Sequence, residues 1–201
     1  MPRAASNTFV TAPPSLEAAQ AYIFDNAWLQ ARARMQAAES YLDPWTTAQF
    51  ERIGVTIGWS CLEAGAGTGS VADWLCRRVG TDGHVLALDI DTRFVEAIDH
   101  PNLEVRRLDI TKEPLEQERF DLVHARLLLS HLPDCVAVLT KLVGSLKPGG
   151  WILVEDFDHV TLGLMDASVH PDDARVLQTV LTAGLRRMAE RGVDLDVGRH
   201  L

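Results

Sequence analysis

A chain of 201 residues, 47% of them apolar, is long enough to bury one sizeable core, so a single main domain is expected. Nineteen basic residues against 28 acidic ones give a formal net charge of −9, which argues against nucleic acid as the main partner. No apolar run approaches the roughly 20 residues needed to cross a bilayer, and "MPRAASNTFVTAPP" at the start lacks the apolar core of a secretory signal.

The chain therefore reads as a cytoplasmic protein with a small-molecule partner and no membrane contact. Residues 1–14 are small, polar and proline-ended, and a flexible tail is expected there. Residues 15–54 form an expected helical cap. Ser15 can cap a helix running to about Leu42, with Leu16, Ile23, Ala27, Ala31, Met35, Ala38 and Leu42 on one face. Asp43-Pro44 is expected to stop it, and Pro44 to open a second short helix that ends before Gly54.

From residue 55 short apolar runs alternate with helical patterns: "CLEAG" then "VADWLCRRVG", "HVLALDI" then "TRFVEAI", "LEVRRLDI", "FDLVHA" then "CVAVLTKLVGSL", and "GGWILVEDF". The runs are continuous rather than alternating, as in strands covered on both faces. That pattern predicts an α/β fold, a doubly wound, mostly parallel sheet of about five strands. "KPGG" at Lys147–Gly150 reads as a tight turn feeding the fifth strand. Cys61, Cys76 and Cys135 show no C-x-x-C spacing and leave an odd count, which suits reduced, packed thiols and no metal site.

"EAGAGTGS", Glu63–Ser70, sits at the first strand's carboxyl end, where open α/β sheets bind ligands. Gly65, Gly67 and Gly69 allow a sharp turn and a close approach of backbone N–H groups to a ligand. A triphosphate cradle needs Gly-Lys-Ser/Thr, which does not occur, and the dinucleotide spacing needs glycine where Ser70 stands. Asp89, about 20 residues on, can accept hydrogen bonds from two ribose hydroxyls. Asp109, ending the third strand, can receive an exocyclic amine or simply cap the next turn. Glu63 places a fixed negative charge under the loop, a poor setting for pyrophosphate and a good one for a cation. Acid at each strand end suits a positively charged nucleoside.

Together "EAGAGTG", "LALDID", "RRLDI", "FDLVHARLLLSHLPD" and "LKPGGWILVEDFD" resemble the class I S-adenosylmethionine-dependent methyltransferases, over about residues 22–200. "YIFDNAWLQARARM" and "WSCLEAGAGTGSVADWL" look most like a bacterial small-molecule branch. The resemblance implies a Rossmann-like cofactor domain over 55–201 and S-adenosylmethionine as cofactor. It implies that Gly65, Ala66 and Gly67, in the loop completed by Gly69, line the methionine end, and that Asp89 holds the ribose. Ile90 would pack on the adenine, Asp109 and Ile110 would form its rim, and Ala125 and Arg126 would border the methionine moiety.

Alignment of an acceptor with an activated methyl supplies most of the rate, so a general base is optional. His131 in "LLLSHLPD" is the first candidate base, with a loop-tying role as the plainer reading; His124, expected to be buried, Asp156, Asp158 and His159 stand near it in sequence. Tyr22, Phe24 and Trp28 suggest an aromatic lid or a core stripe. The expected activity is methyl transfer to an O or N atom of a small molecule. A non-catalytic S-adenosylmethionine-binding protein and a nicotinamide oxidoreductase are the alternatives. The family normally adds two strands after the fifth, and "GVDLDVGRHL" is too short and charged to supply them, so strand five is expected as an exposed edge: either the chain is a truncated form, or a second copy in a homodimer or a rearranged terminus covers that edge.

Overall fold

A computed structural model describes residues 30–159 and 171–200. The tail, the first half of the expected N-terminal helix and the Tyr22, Phe24 and Trp28 lid lie outside the described residues. Helix α1, Ala31–Ile53, is followed by β1 (Ser60–Ala64), α2 (Ser70–Val79), β2 (His84–Asp89), β3 (Leu103–Arg107) and β4 (Phe120–Arg126). Then come α3 (Cys135–Gly144), β5 (Leu146–Glu155), α4 (Pro171–Glu190) and the short α5 (Val197–His200).

The five strands are all parallel and run in the order β3-β2-β1-β4-β5. The chain moves one way from β1 to β3, then crosses back to place β4 on the other side of β1. The strand order therefore reverses between β1 and β4, and a crevice opens beyond their tips.

Side-chain alternation divides the sheet into two faces, and each has its own core. Leu62, Ala64, Val123 and Ala125 point to one face with Leu86, Leu88 and Phe120. Cys61, Leu122 and Val85 point to the other, where Phe50 of α1 and Val71, Leu75 and Val79 of α2 cover them. The second face is the one that α1 overlies, and near the strand tips it carries Glu63, His124, Arg126 and Glu155.

The break expected at Asp43-Pro44 does not occur. One helix runs through Pro44 to a left-handed C-cap at Gly54, φ +88°. Proline removes one backbone donor, but the local chain is held elsewhere. Thr47 Oγ1 donates to the Asp43 carbonyl at 2.8 Å, and Arg126 and Glu155 grip Asp43 and Thr46 from the sheet. Tertiary bonds on both sides of the proline override the local stop signal.

"KPGG" also behaves differently from its sequence reading. It lies inside β5, where Phe120 pairs with Leu146 and Leu122 with Trp151. The one residue of β4 between these pairs, Asp121, thus faces four on β5, with Gly149 at φ +84° making the kink. Among the described residues β5 has no neighbour on its outer side, and Trp151 is 53% exposed there. The 193–200 segment folds over the tip of β5 instead of extending the sheet. Val193 and Val197 are buried, the Asp194 amide donates to the Ser130 carbonyl, and Gly198 presses on the Phe157 backbone.

Cys61 and Cys76 are buried free thiols, and burial pushes both pKa values up, that of Cys76 to about 12. Among the described residues no His, Cys, Asp and Glu cluster could hold a metal ion, and no helix is long and apolar enough to cross a membrane.

Candidate functional site

A cavity of about 800 Å³ fills the crevice where the strand order reverses. Its floor is made by the chain leaving β1 and β2, and its roof by α1, the segment after β4 and residues 190–192. The volume is in the range of small-molecule sites.

The floor is built from backbone. Gly65, Gly67 and Gly69 have φ values of +76°, +58° and +90°, conformations that a side chain resists. Their amides, however, do not face the cavity as expected. Those of Gly65 and Ala66 both donate to the Leu88 carbonyl, at 2.8 and 2.9 Å, and that of Gly69 donates to Ala66. The Gly67 amide donates to Asp89 Oδ2 at 2.8 Å. With these donors spent, the loop offers a ligand bare Cα surface rather than an anion cradle. That disfavours a pyrophosphate here on structural grounds.

Asp89 closes the floor at the end of β2. Oδ1 accepts from the Asp91 amide at 2.9 Å and Oδ2 from Gly67, and the Ile90 amide adds to them, so only part of the carboxylate's acceptor capacity stays open. Burial pushes its pKa up to about 6; the amide hydrogen bonds from Asp91 and Gly67 limit the rise. Asp91 is itself nearly buried and held by the Arg93 guanidinium at 2.6 Å.

Ile90 and Ile110 line the cavity beside Asp109. Asp109 is occupied locally: Oδ1 accepts from the Thr111 hydroxyl at 2.6 Å, and Oδ2 pairs with Lys112 at 2.9 Å. Burial raises its pKa, but the Thr111 and Lys112 bonds outweigh burial and leave it below the usual carboxylate range. The capping role weighed from sequence is therefore present in the structure, at the cavity's rim.

After β4 the chain turns through Leu127, which adopts φ +52°, a strained conformation for a bulky residue. Its amide donates to the Glu155 carbonyl at 2.8 Å, which holds the turn. The result sets Leu128 directly over Gly65, where an added Cβ would come within 3.2 Å of Leu128 Cδ1. Glycine at 65 is thus favoured by its conformation, and any Cβ there would push Leu128 aside.

His131 ends the single turn Leu129–His131 and lines the roof, half-buried. Burial lowers its pKa; Asp156 opposes that, and His159 and Arg34 add to it. The imidazole is neutral at pH 7 and able to accept a proton. Asp156 turns away to accept from the Ser130 amide and hydroxyl, and Asp158 pairs with Arg199 at 2.8 Å. The structure thus brings Glu63, Gly65, Ala66, Gly67, Asp89, Ile90, Asp109, Ile110, Arg126 and His131 to one cavity. Gly69 and Ala125 stay off its wall. Gly69 packs against Val95 and Ile98 at the start of α2, and Ala125 is buried in the core opposite α1.

Beneath the floor lies a buried chain of charge. His124 is fully buried, with Nδ1 2.5 Å from Glu63 Oε2 and Nε2 3.0 Å from Glu155 Oε2. Burial alone would lower its pKa, but the two carboxylates outweigh burial and raise it to about 9. Glu63 is thus partly neutralised from below rather than a bare charge.

The roof was mostly missed by the sequence reading. Met35, Ala38 and Leu42 lie on the predicted apolar stripe of the first helix, yet they face a cavity rather than a core. Arg34 and Glu39 of the same helix, and Glu190, Arg191 and Gly192, come from segments that carry no local motif.

Residues 62–154 match the family model described as a methyltransferase domain. A methyltransferase of Strobilurus tenacellus, str2, is 33% identical over 141 residues, covering 70% of this chain and 49% of its own. A demethylmenaquinone methyltransferase of Lactococcus lactis is 30% identical over 127 residues, covering 60% of this chain and 50% of its own. The chain thus spans about half the length of these relatives. A SAM-dependent methyltransferase structure from Aquifex aeolicus superposes with a TM-score of 0.55 at 20% identity, over 81% of this chain and 88% of the other, a likeness of fold.

Proposed function

Since the chain carries the domain of the class I S-adenosylmethionine-dependent methyltransferases, we propose that it transfers the methyl group of that cofactor to an oxygen or nitrogen atom of a small molecule held under α1. The observation that carries this reading is the single cavity with two unlike walls: a backbone floor with Asp89, and a largely apolar roof with a neutral His131. Among the relatives, the demethylmenaquinone methyltransferase of Lactococcus lactis is named for a small-molecule acceptor.

S-adenosylmethionine brings a methyl group already activated on a sulfonium centre. Asp89, with acceptor capacity left beyond its amide bonds, is suited to a ribose hydroxyl, and Ile90 and Ile110 to the flat faces of an adenine. Glu63 and its buried companions leave negative charge below a cation. Met35, Ala38, Leu42, Leu128 and Leu132 give the roof an apolar lining, which favours a mainly apolar acceptor and excludes water from the transfer. The floor would hold that group and the roof would set an acceptor's oxygen or nitrogen in line with its methyl. His131 would take the proton that an O–H or N–H acceptor loses as it is methylated.

Calorimetric titration with S-adenosylmethionine, S-adenosylhomocysteine and NAD on one sample tests the cofactor, and a screen of phenols, amines and hydroxy acids tests the transfer. Binding of both adenosyl compounds but not NAD is expected. His131→Gln should slow methyl transfer by about 10²–10⁴-fold with cofactor affinity unchanged. Tight binding without transfer to any acceptor would make the chain a binding protein instead.

A further inference from the structure

Glu63, His124 and Glu155 come from three adjacent strands and meet on the face that α1 covers. Both ring nitrogens of His124 face carboxylate oxygens, at 2.5 and 3.0 Å, so both need a proton to donate. The chain of bonds does not stop at Glu155. Thr46 Oγ1, fully buried in α1, donates to the same Glu155 oxygen at 2.6 Å. Arg126 donates to Thr46 Oγ1 at 2.9 Å and to Asp43 Oδ1 at 2.8 Å, and the Ser70 hydroxyl reaches Asp43 at 3.1 Å. The Phe50 ring, also on α1, meets the imidazole edge-on at 5.0 Å between centroids.

We propose that His124 is a positioning residue, an imidazolium strung between Glu63 and Glu155 that fastens α1 to the strand tips and thereby sets the cavity's roof over its floor. Glu63 is itself on the floor, and α1 supplies Arg34, Met35, Glu39 and Leu42 to the roof. One buried ring thus joins the two walls, through Glu63 on one side and through Glu155 and Thr46 on the other. The proposal leans on the methyltransferase reading only for what the cavity holds.

The charge balance shows why the proton matters. The groups facing His124 or bonded to its partners are Glu63 on β1, Glu155 on β5, Arg126 on β4 itself and Asp43 on α1. With the ring charged, three carboxylates face two cations, which leaves one negative charge below the cavity. With the ring neutral the excess doubles, and Glu63 and Glu155 lose the group that separates them. A buried carboxylate left without its partner is costly, so the strand tips and α1 should loosen. The folded pKa of about 9 exceeds the ordinary 6.5, so the clamp is complete below about pH 6.5 and is lost as the pH rises through 9.

Two variants of the full chain test this, His124→Gln and the double variant His124→Gln/Glu155→Gln, which removes a carboxylate along with the cation. At pH 7, His124→Gln should weaken S-adenosylhomocysteine binding about tenfold and speed hydrogen exchange of the α1 amides at 45–52 by a similar factor, relative to intrinsic rates. The double variant should recover most of both losses. Wild-type affinity should fall about tenfold between pH 8 and pH 10, and the single variant's should not. A double variant as impaired as the single one, or a wild-type affinity level across that range, would overturn the clamp. If no form binds the adenosyl compound, the cofactor assignment fails, and the exchange rates alone then decide the clamp.

Discussion

The floor and the roof of the cavity are built on different principles. On the floor, position is set by main chain: four loop amides are spent on Leu88, Ala66 and Asp89, and the side chains that matter are short and fixed at strand ends. On the roof, position is set by long side chains on α1 joined to the sheet by Thr46, Asp43, Arg126 and Glu155. A surface made of peptide can recognise one constant ligand, and a surface made of replaceable side chains can be retuned for another. The difference is what the proposed function asks for, a constant cofactor below and a variable acceptor above.

The sharpest way to break the floor is at Gly69. Its φ of +90° disfavours any Cβ, and one placed there would lie 2.4 Å from Ile98 Cδ1 and 2.9 Å from Val95 Cγ2. Gly69→Ala combines a left-handed strain with overpacking and should cost about 2–5 kcal/mol, read as a lower urea midpoint. Gly67→Ala makes a useful contrast, because its Cβ would meet only the flexible end of Met35 at 3.2 Å. That change carries the left-handed strain at φ +58° without the overpacking, so it should cost less stability than Gly69→Ala and act mainly on ligand affinity.

Next in size is Asp89. Asp89→Ala removes the acceptor of the Gly67 and Asp91 amides, which is also the one proposed for a ribose, and should weaken S-adenosylmethionine binding by about 1–3 kcal/mol in calorimetry. Its pKa of about 6 adds a pH signature. Affinity should be level above pH 7 and fall as the pH drops below 6, where the carboxylate takes up a proton and loses an acceptor position. The effect on folding has the opposite sign. An acid with a raised folded pKa contributes stability that is full below the unfolded pKa of about 4 and is lost as the pH rises through 6. At neutral pH, then, Asp89 serves binding at the fold's expense.

The two regions were unequally legible in sequence. Strand count, the parallel sheet and the floor residues followed from continuous apolar runs and from acids at fixed places after them, signals that are local. The roof depends on which side of the sheet α1 lies and on the β1–β4–β5 register, neither of which is local. Glu63, His124 and Glu155 are separated by 61 and 31 residues, and only strand pairing brings them together. For the same reason Pro44 misled: the tertiary bonds that hold the helix through it come from residues 80 or more positions away. Ala125 shows the other limit, since a one-residue step along a strand moves a side chain to the opposite face.

The smallest expected effect sits where floor meets roof, at Asp109. Its Oδ2 faces Lys112, whose side chain is 72% exposed, across 2.9 Å. Exposed pairs of this kind are worth about 0–1 kcal/mol, so Lys112→Ala should leave the urea midpoint nearly unchanged. Removing the lysine also frees Oδ2, while Oδ1 stays with Thr111 and keeps the turn in shape. If Asp109 accepts an adenine amine through Oδ2, the variant should bind S-adenosylhomocysteine up to about fivefold more tightly at low salt, and the gain should shrink at high salt as screening weakens the pair in the wild type. Unchanged affinity at both salts would confine Asp109 to holding the turn, and would leave adenine recognition to Ile90, Ile110 and the backbone around them.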